Sequence, residues 1–354
     1  MLNFLIFIAI LSVLIIAHEF GHFLAARRNG VRVERFALGF GPALFKIKGK
    51  ETDFLICLCP LGGYVKLAGE SRNDSHGFDY EFFTKPIKAK IEIVLAGPLF
   101  NYFFAFILFW LIALLGFPYL DSVIGKVKEG YPAMQAGLKD GDRILAVNGK
   151  AVDNWTDMTS LIRANKEKAS LRIQRGNDVF AVDVPLTKSE IGDEFGRRRN
   201  MSVIGIEASP KIKIIKYGFW QGFLKAGESL FNLTFLTIKG FLLLILGIVP
   251  AKEAITGPLG IYYITAETIK LGIVAVFHLM AILNVSLTVV NLIPLPLFDG
   301  GHILIFLIEK IRNKQLSEKV DAVLTRVGFA IIGLIVLFVF YNDILKFGSR
   351  IWGK

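Results

Sequence analysis

The chain has 354 residues, of which 53% are hydrophobic, and its mean hydropathy is +0.54. This composition is too apolar for an ordinary soluble enzyme and indicates an integral membrane protein. The net charge of +11 does not indicate nucleic-acid binding, because much of it flanks apolar segments, where Lys and Arg orient membrane proteins.

The first apolar segment, Leu2–Ala26, is long enough to cross the ~30 Å hydrocarbon core of a bilayer. It is similar to a signal peptide but has neither a basic start nor a small-residue cleavage site, so we expect a retained transmembrane helix. The loop that follows, up to Lys90, carries twelve Lys and Arg residues. The positive-inside rule therefore predicts that this loop is cytoplasmic and that the chain begins on the outer side.

Near the cytoplasmic end of this segment lies the motif His18-Glu19-Phe20-Gly21-His22. Histidines four residues apart share a helix face, so both can reach one metal ion, and Glu19 can accept a proton from a metal-bound water. Zn²⁺ binds such ligands and lowers the pKa of bound water toward ~7. The motif could instead make polar contacts within a helix bundle. Ionisable groups at this depth cost on the order of 2.5–3.5 kcal/mol each, which favours the metal site.

The cytoplasmic loop contains a short β-rich segment. Gly39–Pro42 is typical of a turn, and Asp53–Leu67 reads as a β-hairpin that bends at Pro60–Gly63. Its edge could pair with a substrate strand, or the hairpin could only cap the helices. Cys57 and Cys59 point to one face of the strand, and we expect them to be small apolar residues in a reducing compartment.

The second apolar segment, Ile93–Phe117, has no charged residue and contains Gly97-Pro98-Leu99-Phe100-Asn101. Gly and Pro permit close helix approach. Asn101 is a buried amide that needs a partner, and it could serve packing alone.

Residues 121–209 return to a charged, soluble-like composition. The pattern predicts helices at Met134–Ala136 and Thr156–Lys166. It predicts strands at Val123–Val127, Arg143–Val147, Ser170–Arg175 and Phe180–Val184. The stretch Tyr131–Gly149 resembles the core of a PDZ domain. The resemblance implies a peptide-binding groove between the Val123–Val127 strand and the Thr156 helix.

Between Lys211 and Lys252, lysines interrupt a segment rich in Phe, Trp and Leu. The uncharged run Gly240–Ala251 is too short to span a bilayer, so we expect an amphipathic helix at the outer surface.

The third apolar segment, Leu271–Phe298, leads into Asp299 and His302. Pro294 and Pro296 break the helix, and irregular backbone at membrane depth is tolerated only inside protein or beside water. This segment is therefore predicted to line a cavity. A carboxylate in such a cavity needs a cation to balance its charge. Asp299 is the preferred third metal ligand, with water as the fourth. His302 is the competing ligand, whereas His278 and His76 are not expected to bind metal.

Five Lys and Arg residues from Lys310 to Arg326 predict a second cytoplasmic loop. A fourth span, Val327–Leu345, includes Asp343. Four crossings place both termini and the PDZ-like segment outside. The predicted fold is an α-helical polytopic membrane protein with about four transmembrane helices, a membrane-associated β-hairpin and one inserted PDZ-like α+β domain. Its parts are an N-terminal membrane half (1–120), the PDZ-like domain (121–208) and a C-terminal membrane half (209–354).

Five motifs together resemble the site-2 protease family of intramembrane metalloproteases, and most of all its bacterial regulator of sigma-E protease group. They are HEFGH at 18–22, GPLFN at 97–101, the PDZ-like stretch, TGPLG at 256–260 and NLIPLPLFDGGH at 291–302.

The resemblance implies one Zn²⁺ on His18, His22 and Asp299, with Glu19 as general base. It also implies substrate contacts by the hairpin and the proline-broken segment, which we assign to Gly62, Gly63, Tyr64, Asn291, Pro294 and Pro296. Phe298 stands where the family usually has Leu, and Ser286 where relatives often have Asn. One PDZ-like module stands where many relatives have two.

The resemblance implies hydrolysis of transmembrane segments in a bacterial inner membrane, with anti-sigma factors or remnant signal peptides as substrates. A catalytically inactive scaffold that binds peptides through the PDZ-like groove is the alternative, but such a binder needs no general base at Glu19. A metal transporter is a second alternative, and it would require several intramembrane carboxylates along a path.

Overall fold

A computed structural model describes residues 2–71, 74–192 and 197–351. The chain divides into two compact units, residues 1–112 with 220–354, and residues 113–219. The first holds the apolar helices and the second is mostly β-structure, and each is described separately.

The N-terminal part of the membrane unit begins with a long helix and ends with another. Its elements are α1 (Leu2–Arg28), β1 (Val33–Lys48), β2 (Asp53–Leu67) and α2 (Ile87–Leu115). The first helix matches the predicted span almost to its ends. The second begins earlier than predicted, so that Pro98 lies inside it rather than near its start.

The strands β1 and β2 pair in a way that the sequence does not predict. Residues 35–38 of β1 pair with 63–66 of β2 and also with 53–56, so this part of β1 lies between the two halves of β2. The prediction that Asp53–Leu67 folds back on itself is therefore wrong in its pairing. Alternation of residues identifies a strand but not its partner.

The second unit is built from short strands around two short helices. Its elements are β3 (Phe117–Leu120), β4 (Ile124–Val127), α3 (Pro132–Gln135), β5 (Arg143–Val147), β6 (Lys150–Ala151), α4 (Trp155–Arg163), β7 (Lys168–Arg175), β8 (Asp178–Pro185), β9 (Thr187–Gly192), β10 (Arg198–Val203), β11 (Ile206–Ala208) and β12 (Ile212–Ile215). One sheet has the order β6-β5-β7-β8, and the other strands form the two-stranded pairs β4–β11, β9–β10 and β3–β12.

A single apolar core supports this unit. Ile144, Leu171 and Ile173 from the sheet are fully buried, together with Met158 of α4. All four strands and both helices expected from the sequence are present here, within three residues at their ends. The sequence pattern does not predict β3, β6 and β9–β12, which are short or strongly charged.

The C-terminal part of the membrane unit is entirely helical. Its elements are α5 (Phe219–Ile245), α6 (Ala251–Ala254), α7 (Pro258–Lys270), α8 (Ile273–Asn291), α9 (Asp299–Arg312) and α10 (Glu318–Ile351). The break predicted around Pro294 and Pro296 is confirmed as the irregular segment 292–298 between α8 and α9. The last helix is longer than predicted, because it continues through the charged residues on both sides of Val327–Leu345.

Five of the described helices are long and apolar enough to cross a bilayer, namely α1, α2, α5, α8 and α10. The sequence predicts four spans, because its lysine-interrupted 211–252 region indicates a surface helix. The helix α5 is the least apolar of the five, with a hydropathy of 1.5 against 2.1 to 2.5 for the others. Its placement along or across the membrane stays a prediction.

Candidate metal centre

Three predicted metal ligands come together inside the membrane unit. The Nε2 atoms of His18 and His22 lie 3.2 Å apart. The Asp299 carboxylate approaches them at 3.3 Å from His18 and 3.6 Å from His22. Within the described part of the chain, this is the one group of three or more His, Cys, Asp or Glu side chains placed to share an ion.

These spacings fit a tetrahedral zinc ion. Ligand atoms about 2.0–2.1 Å from zinc in tetrahedral geometry lie roughly 3.3 Å from one another. The three separations of 3.2, 3.3 and 3.6 Å match that edge length. Two imidazoles and a carboxylate also form the donor set of a catalytic zinc site with one position left for water.

The helix α2 makes room for the two imidazoles at Gly97. A Cβ on this residue would lie 2.3 Å from His22 Nε2 and 2.8 Å from His18 Cε1. No side chain larger than hydrogen fits there without displacing the rings. The GPLFN motif therefore serves the centre directly as well as helix packing.

The other ring nitrogens of the histidines also have partners on α2. His22 Nδ1 lies 2.9 Å from the Ile93 carbonyl oxygen, which only an Nδ1–H can use. His18 Nδ1 lies 3.4 Å from the fully buried amide of Asn101. The Ile93 contact leaves Nε2 of His22 free to face a metal ion. The amide nitrogen of Asn101 faces Nδ1 of His18, so Nε2 of His18 is free only when the Asn101 amide turns its oxygen toward this ring.

The helix break delivers Asp299 to this position. Asp299 is the first residue of α9, directly after the irregular segment. Leu297, two residues earlier, has φ of +78°, which is strained for a bulky side chain. The sequence motif predicts the break, but nothing in it identifies Leu297 as the strained residue.

Glu19 lies beside the second half of β2. A Cβ on Gly63 would lie 3.3 Å from Glu19 Cγ. The Glu19 carboxylate also accepts a hydrogen bond from the backbone N–H of Val65. The edge of β2 at residues 63–65 therefore faces the candidate general base.

A cavity of about 350 Å³ connects these groups. Its lining includes Glu19, His22, Asp299, Gly63 and Tyr64. Glu70 also lines it, and removal of the Glu70 carboxyl from water raises its pKa above the ordinary value.

The other three histidines named in the sequence are not in the ligand group, and four of the predicted substrate-contact residues do not line the cavity. His302 lines the cavity from α9, with its ring tilted against Phe306, but it is not one of the three grouped ligands. His278 packs near Phe109, and His76 lies near Phe78. The predicted substrate-contact residues that do not line the cavity are Gly62, Asn291, Pro294 and Pro296.

One polar contact that the sequence analysis missed joins α8 to α2. The Thr288 hydroxyl is buried and lies 3.1 Å from the Pro98 carbonyl and 2.9 Å from the Asn284 carbonyl of its own helix, and it can donate its single proton to either one. Thr288 belongs to no recognisable sequence motif, so the sequence does not predict this contact.

The second unit contains a separate cavity of about 260 Å³ beside α4. It is lined by Trp155, Thr159 and Ile162 of α4 and, opposite them, by residues 202–206 at the end of β10 and the start of β11. The predicted groove wall, Val123–Val127, does not line it, because β4 pairs with β11 instead. The cavity beside α4 is therefore lined by residues 202–206 rather than by Val123–Val127, and the predicted peptide groove stays a prediction.

Residues 6–335 of the chain match the family model that is described as "Peptidase family M50". Cj1068 of Campylobacter jejuni, whose name assigns it provisionally as a zinc metalloprotease, is 32% identical over 100% of this chain and 95% of its own length. The regulator of sigma-W protease RasP of Bacillus subtilis is 28% identical over 96% of this chain and 97% of its own length.

Among solved structures, the PDZ domain of the SdrC-like protein Lmo2051 of Listeria monocytogenes is 24% identical over 25% of this chain and 88% of that chain, with a TM-score of 0.21. The PDZ domain of the SdrC-like protein Lin2157 of Listeria innocua is 22% identical over 25% of this chain and 92% of that chain, with a TM-score of 0.20.

Proposed function

Since the chain belongs to peptidase family M50, the site-2 protease family of zinc metalloproteases, we propose that His18, His22 and Asp299 hold the catalytic zinc and that Glu19 is the general base. The observation that carries this proposal is the near-tetrahedral spacing of the three ligand atoms inside a bundle of apolar helices. Ionisable groups are costly in that medium and are retained where they serve a site.

A zinc ion held by His18, His22 and Asp299 would supply a water of lowered pKa and would polarise the scissile carbonyl. Glu19 accepts the proton of the attacking water and later donates it to the leaving amine. Its contact with the Val65 N–H fixes the carboxylate beside the cavity. The Ile93 carbonyl and the Asn101 amide hold the two imidazoles in orientation.

We further propose that the substrate is a transmembrane segment bound in extended form along β2. A helix hides its carbonyls in its own hydrogen bonds, so the substrate has to unwind before hydrolysis. Residues 63–67 pair with β1 on one edge, and no second partner strand is found among the described residues. Backbone groups on the other edge of this segment can pair with the substrate strand.

The substrates that we propose are bacterial anti-sigma factors or remnant signal peptides. The relative RasP of Bacillus subtilis is named as a regulator of sigma-W protease, which supports the first class. We place the enzyme in the bacterial cytoplasmic membrane, with the loop 27–90 in the cytoplasm and the second unit outside. The excess of Lys and Arg in that loop supports this orientation.

For the second unit we propose peptide binding in the cavity beside α4, as the PDZ-like sequence at Tyr131–Gly149 suggests. An extended peptide would lie between α4 and residues 202–206. This unit carries none of the grouped ligands, so we assign it substrate selection and no chemistry.

The test is cleavage of a single-span reporter by purified protein in proteoliposomes. Glu19→Gln should abolish cleavage and keep the zinc content of the wild type, because the substitution removes a base and no ligand. Glu70→Gln is the matched control, since Glu70 lines the same cavity, and this variant should retain most of the activity. Full cleavage by Glu19→Gln would refute the assignment of the base.

A further inference from the structure

The strands β3 and β12 form a two-stranded ribbon with an exposed apolar face. The register pairs Leu120 with Ile212 and Pro118 with Ile214. These four apolar residues share one face, because alternate residues of a strand point the same way. All four are exposed, with Ile212 at 66% and Ile214 at 64%.

The opposite face of the ribbon is half-buried and carries Phe117, Tyr119, Lys213 and Ile215. Tyr119 pairs with Lys213, and the Lys213 ammonium lies 3.2 Å from the Asp153 carboxylate. A ribbon with one face in water turns its charged residues outward and its branched aliphatic residues inward. Here Lys213 is turned toward the unit, together with Phe117 and Ile215, whereas Ile212 and Ile214 are turned outward. A shift of register by one residue would reverse this, so the orientation is a specific property of the pairing.

The chain connections place the ribbon close to the end of an apolar helix. One residue, Gly116, separates β3 from α2, a candidate membrane span. Gly116 has φ of +100°, a conformation that permits the abrupt turn. The backbone N–H of Tyr217, just after β12, donates to the carbonyl of Ala113 in the last turn of α2 at 2.9 Å. Both strands are therefore tied to the point where α2 ends.

The ribbon is longer than the interfacial layer of a bilayer is thick, so it fits within that layer only when it is tilted. Four residues of strand extend about 13 Å at ~3.3 Å per residue. The polar region on each side of the ~30 Å hydrocarbon core is roughly 5–8 Å thick. A ribbon that starts at the end of a span and tilts along the surface stays within reach of that layer.

The residues around the ribbon are those that favour an interface. Lys211 and Lys216 flank β12 and are exposed. Tyr217 and Trp220 follow, and Trp220 is 75% exposed. Amphipathic aromatic rings are enriched at the level of lipid headgroups, and lysines near the surface attract anionic headgroups.

We propose that the outward face of this ribbon, formed by Pro118, Leu120, Ile212 and Ile214, inserts into the headgroup–acyl boundary of the leaflet at the end of α2. The occupant of the face is the lipid surface itself. The apolar outward face, the inward lysine and the short links to α2 are independent observations with the same consequence. The second unit would then be held at the membrane by a contact of its own, in addition to its chain connections.

The experiment measures the depth of nitroxide labels on the full-length protein in vesicles of phosphatidylethanolamine and phosphatidylglycerol. Single labels at Ile212 and Ile214 are introduced after replacement of Cys57 and Cys59 by Ser. Val179 is the matched control, because it is an apolar side chain on a strand of the same unit, is 47% exposed, and lies far along the chain from any span. Thermal unfolding compares each labelled protein with the wild type.

Labels at 212 and 214 should collide with oxygen, which dissolves in lipid, and lose collisions with a water-soluble nickel chelate. The label at 179 should show the opposite preference. Ile214→Asp should restore nickel collisions to the label at 212. Nickel accessibility at 212 and 214 equal to that at 179 would overturn the proposal, because the face would lie in water. Shielding of both labels from oxygen and nickel would also overturn it, because another protein surface would cover the face.

Discussion

Two aspartates of the membrane unit, Asp343 within α10 and Asp299 at the start of α9, have different partners. Asp343 of α10 is fully buried and accepts hydrogen bonds from the backbone N–H groups of Gly257, Leu259 and Gly260 at 2.9, 2.9 and 3.1 Å. These groups form the start of α7, where unpaired N–H groups and the helix dipole both favour an anion. Asp343 is thus satisfied within the protein.

Asp299 stands at the start of α9 but is placed differently. Within the described residues its carboxylate faces the Nε2 atoms of two histidines, and no backbone N–H is found to donate to it. Neutral imidazoles that turn Nε2 lone pairs toward a carboxylate gather three acceptors in one place, which is unfavourable without a cation. The comparison shows that a carboxylate in this medium is structural where the backbone satisfies it, and suggests that it is functional where only a cation can.

The largest effect should come from removal of the structural carboxylate. Asp343→Ala leaves three N–H groups without their acceptor, at about 1–3 kcal/mol for each unsatisfied group. We expect strongly reduced thermal stability in detergent, whereas the molecules that remain folded should bind zinc in the wild-type amount. Asp343→Asn keeps one acceptor oxygen, so its thermal stability should lie between that of the wild type and that of Asp343→Ala. A stable Asp343→Ala protein without zinc would reverse the roles of the two aspartates.

A smaller change in stability but a complete loss of metal should follow from Gly97→Ala. The added methyl would lie 2.3 Å from His22 Nε2, so the ring has to leave the ligand group. The control is Gly333→Ala in α10, where a Cβ meets no atom within 4 Å and where the gain in helix propensity is about 0.5–1 kcal/mol. Zinc content and unfolding temperature are measured for both proteins. Normal zinc in Gly97→Ala would mean that the histidines do not lie as close to α2 as described.

The smallest expected effect is a change in zinc affinity on substitution of Asn101, whose amide orients the His18 ring. If His18 binds zinc through Nε2, its Nδ1 carries the proton, and Asn101 must present its amide oxygen. Asn101→Leu should weaken zinc affinity by about 10–100-fold, as for other outer ligands of metal sites. Asn101→Asp keeps an acceptor and should bind zinc more tightly than the Leu variant. Affinity is measured by competition with a chromogenic chelator, and equal affinities of the two variants would exclude this role for Asn101.

The sequence predicts more about the surroundings of Asp299 than about those of Asp343. Spacing identifies His18, Glu19 and His22, and the proline-broken segment identifies Asp299, because each motif is short and its chemistry is specific. Asp343 is visible in the sequence, but its partners at residues 257–260 lie more than 80 positions away, and no local pattern joins them. A local pattern states what a residue can do, whereas its partner depends on packing.

The same distinction explains the errors in the β-structure. The alternation in Asp53–Leu67 identifies extended chain, yet both halves pair with β1 because β1 lies between them. The cavity beside α4 is lined by the ends of β10 and β11, which the sequence pattern does not place next to α4. Those strands come about forty residues after α4, and their polar sequence resembles a loop.

Zinc content of two alanine variants tests the central claim most directly. Purified Asp299→Ala and His302→Ala are analysed for zinc per molecule, with thermal unfolding as the check on folding. The account predicts loss of zinc in Asp299→Ala and wild-type zinc in His302→Ala, since His302 lines the cavity outside the ligand group. Full zinc in Asp299→Ala together with loss in His302→Ala would contradict it.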